Sequence, residues 1–158
     1  MSGFRVGLGF DLHKITKRKK ILVLGGYKIN CGFGLEAVSD GDVLLHAVTD
    51  AICGAAGLGD IGDYFRPEAK KSKNINSKKI AAYVLNKISG KYRLVNIDIT
   101  LVAERPKLFA HKKSIVSALG RVFKEVDINL KVKSKEQTQA LGGVDTISCL
   151  AVALLSKR

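Results

Sequence analysis

No apolar run in this 158-residue sequence approaches membrane-spanning length. No basic segment followed by an apolar one opens the N-terminus, so a cytoplasmic protein with no membrane partner is the expectation. Cysteine is scarce. Cys31, Cys53 and Cys149 are scattered and odd in number, which fits neither a disulfide framework nor a zinc ribbon and leaves reduced, mostly buried thiols. Acidic residues are outnumbered 14 to 27 by Lys and Arg, and the resulting charge of +13 attracts anions. Much of that excess falls in residues 14–20 and 70–79. No aromatic residues interleave these runs and no nucleic-acid motif is present. A basic RNA-binding module would therefore rest on charge alone, and solvated surface loops are the better reading. No internal repeat is visible. What is present, 46% hydrophobic residues, is too apolar for disorder and suits one domain over 1–158 with a sizeable core.

The stretch 39–50 organises the rest. Ser39 with Asp42 three residues on resembles a capping box opening a helix over 42–56, which Gly57-Leu58-Gly59 ends. Residues 4–13 read as a first strand, 14–20 as a charged loop, and 21–29 as a hairpin turning on Gly25-Gly26. Residues 60–65 are a loop, and 66–76 form a polar segment without periodicity, a candidate flap. Ser77 is a candidate cap for a helix to Ser89 with Ile80, Val84, Leu85 and Ile88 on one face. A strand over 94–103 leads to a turn at Glu104-Arg105-Pro106-Lys107. A third helix follows over 110–126, with Ile115, Leu119 and Val122 inward. Then come a strand over 128–132, a loop or short helical turn over 134–145, and a buried strand or helix over 146–155. The fold class is α/β (α+β), a mixed β-sheet with helices on one face. The other face then needs a cover, most simply another subunit.

On a strand, Asp11 and His13 share a face. On the helix, His46 and Asp50 stand four residues apart and share a stripe with Asp42, in an otherwise apolar sequence. One carboxylate and two imidazoles are a three-ligand set for Zn²⁺ with one position left open, as in a catalytic site. Spacing alone leaves the alternative of a hydrogen-bonded core histidine open.

Phe10-Asp11-Leu12-His13, Leu24-Gly25-Gly26, the block from Ser39-Asp40-Gly41-Asp42 through His46 to Asp50, and Gly59-Asp60-Ile61-Gly62 resemble 2-C-methyl-D-erythritol 2,4-cyclodiphosphate synthase. A thinner match continues through Pro106-Lys107 and Glu136. The resemblance implies an enzyme of the non-mevalonate isoprenoid pathway, a homotrimer with active sites between subunits. It would cyclise 4-diphosphocytidyl-2-C-methyl-D-erythritol 2-phosphate to the 2,4-cyclodiphosphate and release CMP. In the family, zinc polarises the β-phosphate and Mg²⁺ (or Mn²⁺) bridges α and β. By resemblance Asp11, His13 and His46 hold the zinc and Glu136 the Mg²⁺. Ser39, Ser134 and Asp50 are placed at the chemistry, Asp50 by helping to hold the ligand helix, with a satisfied acid near the subunit contact as its alternative. Asp11, His13, Ser39, Asp60, Ile61, Gly62 and Phe65 would contact the phosphates and the erythritol. Ala103, Pro106, Lys107 and Leu108 would form the cytidine pocket. Val132, Lys133, Ser134, Lys135 and Glu136 would line the diphosphate. Without the resemblance, Glu136 beside Lys135 is a surface ion pair, and Ser39 a plain helix cap.

The chain also departs from the family. Val38 stands where the family usually has His, removing a phosphate donor. Lys133-Ser134-Lys135 replaces a run of three Thr, and a lysine is expected to supply the missing donor as a point charge. Arg66-Pro67-Glu68 replaces a Pro-Asp-x-Asp segment. Gly143 and Leu150 replace an Arg and a Glu, so the axial cavity that binds isoprenoid diphosphates in some relatives is expected not to do so here. These departures motivate the competing expectation, a non-catalytic metal-containing trimer that only binds nucleotide or a protein partner.

Overall fold

A computed structural model describes residues 3–66 and 68–158; Pro67, part of the 66–68 departure, lies outside the described residues. Alternation makes the first strand longer than the sequence suggests. Strand β1 runs Phe4–Thr16, so Lys14 belongs to it rather than to the charged loop. The extension is held by pairing, Lys14 with Thr146 of strand β7 (Thr146–Lys157) and Ile15 and Thr16 with strand β4 (Gly34–Leu35). Residues 146–157 are therefore a strand rather than a helix. Between β4 and β7 come strand β5 (Tyr92–Ala103) and strand β6 (Asp127–Lys133). The five-stranded sheet has the order β4-β1-β7-β5-β6. All its pairs are antiparallel except β5–β6, which is parallel. Strands β2 (Ile21–Leu24) and β3 (Tyr27–Asn30) make a separate hairpin. Its turn places Gly25 and Gly26 at φ 61° and 76°, a conformation glycine adopts without steric cost.

Helix α1 (Val43–Ala56) lies directly on β1. The close approach requires glycine: a Cβ on Gly9 would stand 1.9 Å from the Ala47 carbonyl oxygen, and one on Gly7 would stand 2.0 Å from that of Ala51. Alternation then sends Phe4, Val6 and Leu8, which are 64, 67 and 66% exposed, to the face away from α1.

Helix α1 is capped by Asp42 itself rather than by Ser39. The Asp42 carboxylate accepts from Leu45 N at 3.0 Å, while Gly57, in the left-handed conformation, ends the helix. Asp42 also accepts from Gly25 N (2.9 Å) and Gly26 N (2.6 Å), so one buried side chain fastens the hairpin to the helix. Helix α2 (Ser77–Ile88) is capped by Asn76, not Ser77. Ile80, Val84 and Ile88 are buried as expected; Leu85 is only partly so. The third helix is shorter than the 110–126 expected. A 3-10 turn, Leu108–His111, precedes helix α3 (Lys112–Val122). The chain leaves helical geometry at Phe123, which is 1% exposed and takes the inner position expected of Val122. Residues 61–63 form a 3-10 turn with an Asp60–Asp63 capping box, and residues 70–72 form another. Cys31, Cys53 and Cys149 are free, the last two buried. Among the described residues no helix is long and apolar enough to cross a membrane.

Candidate active site

Strand β1 offers Asp11 and His13 on the face that receives α1, and α1 brings His46 onto them. His13 Nε2 and His46 Nδ1 each lie 3.0 Å from Asp11 Oδ2 and 3.3 Å from each other. Tetrahedral zinc with bonds of about 2.0–2.1 Å needs ligand atoms roughly 3.3 Å apart. The donor set therefore has the spacing of three corners of such a site, and the ligand residues expected from the sequence converge. Burial pushes the Asp11 carboxyl upward, but hydrogen bonds and charge from His13 and His46 outweigh it and hold the group down at about 2. Burial pulls the His46 imidazolium the other way, and the Asp11 carboxylate overcomes it, raising the ring above its ordinary value.

The far nitrogen of His46 has a support that the sequence reading missed. Ser77 Oγ stands 2.9 Å and Ser39 Oγ 3.3 Å from Nε2. The Ser77 hydroxyl donates to the Asp40 carboxylate, whose other oxygen accepts from Ser77 N at 3.0 Å. With Nδ1 committed to a metal, Nε2 carries the proton and donates to Ser77, so Asp40 and Ser77 fix the tautomer the ligand needs. Ser77→Ala is expected to weaken zinc binding by roughly 10–100-fold, read by competition with a chromogenic chelator.

Ser39, relieved of capping, accepts from Gly41 N at 3.2 Å and faces the His46 ring. Its loop is backed by Lys19, whose ammonium donates to the Ser39 carbonyl at 3.2 Å. A cavity of about 350 Å³ opens beside the triad, lined by His13, Ser39 and His46 together with Ile61, Gly62 and Phe65. Asp60 caps the turn that carries Ile61 and Gly62. The Asp50 carboxylate accepts from Ile61 N at 2.8 Å and so ties that turn to α1. Burial raises its pKa above the ordinary value, although the Ile61 N–H works against this. Phe65 meets Tyr83 of α2 edge-on, with centroids 5.2 Å apart.

The other expected residues gather elsewhere in the chain. None of Ala103, Pro106, Lys107, Leu108 or residues 132–136 lines the cavity beside the triad. They meet at the ends of the parallel β5–β6 pair, where Val102 is opposite Lys133. Glu104 accepts there from Lys135 N at 3.2 Å. Ala103 and Leu108 are buried, whereas Lys107 is exposed. Ser134 donates to the exposed Glu136 carboxylate. Lys135 is not the free point charge expected. It is 4% exposed, and its ammonium donates to Leu141 O (2.7 Å), Thr146 Oγ1 (2.5 Å) and Ser148 Oγ (3.2 Å). Burial lowers its pKa, and it forms no ion pair with Glu136 among the described residues. Lys133 stays exposed.

Asp40, Ser77 and the buried Ser72 on the cavity wall were not read from sequence as site residues, Ser77 being taken only as a helix cap. A serine at the first position of a helix and an acid beside a glycine are ordinary turn chemistry, and no local signal separates them from it.

The chain resembles known proteins along its whole length. The model of the YgbB family matches residues 4–156. A 2-C-methyl-D-erythritol 2,4-cyclodiphosphate synthase from Francisella philomiragia is 41% identical over 158 residues, covering 98% of this chain and 99% of the relative. The enzyme of the same name from Francisella tularensis is 40% identical over 96% of this chain and 98% of its own. Among solved structures, the bifunctional IspDF from Campylobacter jejuni has a TM-score of 0.91 at 35% identity, covering all of this chain and 43% of that one. The CDP complex of IspF from Plasmodium falciparum has a TM-score of 0.83 at 34% identity, covering 100% of this chain and 99% of that one.

Proposed function

The chain belongs to the YgbB family, is an enzyme of isoprenoid biosynthesis, a lyase of the 2-C-methyl-D-erythritol 2,4-cyclodiphosphate synthase kind, and on that premise we propose how its residues carry the reaction. The substrate is 4-diphosphocytidyl-2-C-methyl-D-erythritol 2-phosphate. An oxygen of its 2-phosphate attacks the β-phosphorus, the bond from that phosphorus to the bridging oxygen breaks, and CMP leaves with the electron pair. The nucleophile is already anionic near neutral pH, so no protein base is required. The barrier lies in bending a polyanion so that the attack is intramolecular and in line.

The convergence of Asp11, His13 and His46 on one vertex is the observation that carries this reading. The triad would hold Zn²⁺ and the Glu136 carboxylate Mg²⁺, and the two cations would supply Lewis-acid stabilisation of the phosphates. Ser39 donates to a phosphate oxygen. Asp60 and the Ile61–Gly62 turn bind the erythritol hydroxyls, held in place by Asp50, and Phe65 packs over the sugar-like chain. Ala103, Pro106, Lys107 and Leu108 take the cytidine. Ser134, with Val132 and Lys133 around it, faces the diphosphate. Lys135 acts from inside, by holding the 134–136 turn against β7.

The residues assigned to cytidine and diphosphate do not line the cavity beside the triad of the same chain, which supports a site completed between subunits. The exposed apolar row of β1 supports the same arrangement, because rows of this kind mark association surfaces. Light scattering is expected to give the mass of three copies of the 17.1 kDa chain. The test of function is metal analysis combined with a CMP-release assay on one preparation. A zinc-loaded protein that releases no CMP in the presence of Mg²⁺ overturns the reading.

A further inference from the structure

The cavity beside the triad has one polar group with no function so far. Ser72 is 4% exposed, lines the cavity, and its hydroxyl is a buried side-chain oxygen without a hydrogen-bond partner among the described residues. Buried hydroxyls are nearly always paired, so an orphan on a cavity wall calls for an explanation. The position of Ser72 is not accidental slack. Its own N–H is bonded to Ala69 O (2.9 Å). The residues after it are laced to the Ser39 loop, with Asn74 N on Val38 O at 2.7 Å and Asp40 N on Ile75 O at 3.1 Å. The backbone that presents Ser72 is thus tied on both sides, and what the side chain lacks is an acceptor. The residues that share this wall, Ala37, Val38, Ile75 and Ile80, offer no side-chain acceptor. The hydroxyl is buried at the cavity wall, and rotation about χ1 would turn it into the cavity, where an oxygen of a bound molecule would accept from it.

We propose that Ser72 is a substrate-binding residue whose hydroxyl donates to an oxygen of the phosphorylated methylerythritol half of the substrate. This deepens the function proposed above and rests on it. The cavity wall that carries Ser72 also carries Ser39, Ile61 and Gly62, the residues assigned to that half of the substrate. None of the residues assigned to cytidine lines it. A hydroxyl without a partner in the free protein gains a whole hydrogen bond on binding, since no existing bond has to be broken first.

The experiment compares zinc-loaded wild type, Ser72→Ala and Ser72→Thr. The KM comes from CMP release, the Kd for CDP from calorimetry, and thermal stability from a melt. Ser72→Ala is expected to raise KM for the intact substrate about tenfold, as loss of one hydrogen bond to a charged group would. It is expected to leave the CDP Kd within about twofold and the melting temperature equal or higher, because it removes an unpaired buried group. Ser72→Thr, which keeps the hydroxyl, is expected to recover most of the loss. An unchanged KM, or an equal weakening of CDP, overturns the assignment. If wild type itself releases no CMP, the cyclase reading fails first. Calorimetric Kd values of wild type and Ser72→Ala for the intact substrate then decide on Ser72 separately.

Discussion

His46→Ala is expected to strip zinc from the purified protein and to lower CMP release by at least about a thousandfold, since a Lewis-acid metal supplies several kcal/mol of charge stabilisation at a phosphoryl centre. The geometry explains why this one residue matters so much. His46 is the only ligand that comes from α1, and its Nδ1 closes the triangle with Asp11 Oδ2 and His13 Nε2 at 3.0 and 3.3 Å. Asp11 and His13 alone, two positions apart on one strand, provide two donors to a metal that needs three from the protein. The loss also leaves Asp11, held at about 2 by both histidines, with one imidazole fewer against its charge. Alanine is compatible with the helix, so circular dichroism is expected to show a folded protein. Metal content and rate, measured on the same sample, are expected to fall together. A zinc-free His46→Ala protein with the wild-type rate would remove the metal from the mechanism. Ser77→Ala separates the two levels of this site. It leaves three ligands and is expected to recover its rate at saturating zinc, whereas His46→Ala is not.

Asp42→Ala is expected to cost roughly 3–5 kcal/mol of stability, read by urea unfolding. That is the sum of a lost helix cap and two backbone N–H groups left buried without acceptors. The carboxylate is inaccessible, and it serves Leu45 N, Gly25 N and Gly26 N at once. Burial drives its pKa up, and the nearby Asp40 charge adds to this. The three N–H donors oppose it, and the outcome is about 6. The ordinary value is 3.8, so the folded state holds the Asp42 proton more tightly than the unfolded one. The contribution of this group to stability is therefore largest below pH 3.8 and is lost as pH rises through about 6. Asp42→Asn removes the titration. Its amide nitrogen also faces a backbone donor, so the variant is expected to be less stable throughout. The diagnostic is the slope: between pH 4 and 7 the stability gap between wild type and Asp42→Asn should narrow as pH rises. A gap that widens would mean that the native carboxylate is stabilised, not strained, by its surroundings.

Asp42 also shows where reading a sequence stops. The sequence by itself determined that a helix opens near residue 42 and closes at Gly57, that Gly25-Gly26 turns a hairpin, and that Asp11 and His13 share a face. Each of these follows from a period, a cap or a turn within a few residues. The Ser39–Asp42 spacing allowed Ser39 to be the cap, and only the tertiary structure decided otherwise. The hairpin brings Gly25 N and Gly26 N against the helix start, where Asp42 is the acceptor that can serve all three donors, and Ser39 is freed for the site.

The candidate ligands Asp11, His13 and His46 were legible because their residue types and order resemble a family; the residues that support them were not. Ser77 and Asp40 are 37 residues apart, Ser77 and His46 are 31 apart, and Asp50 and Ile61 meet across the end of α1. Lys135, by composition a surface charge, turns inward because Thr146 and Ser148 of β7 and the Leu141 carbonyl of the 140–142 turn form a ready set of acceptors. Contacts of this kind depend on how α2 packs against α1 and how the 134–136 turn meets β7. Packing is a property of distant surfaces brought together, and no local pattern of residues encodes it.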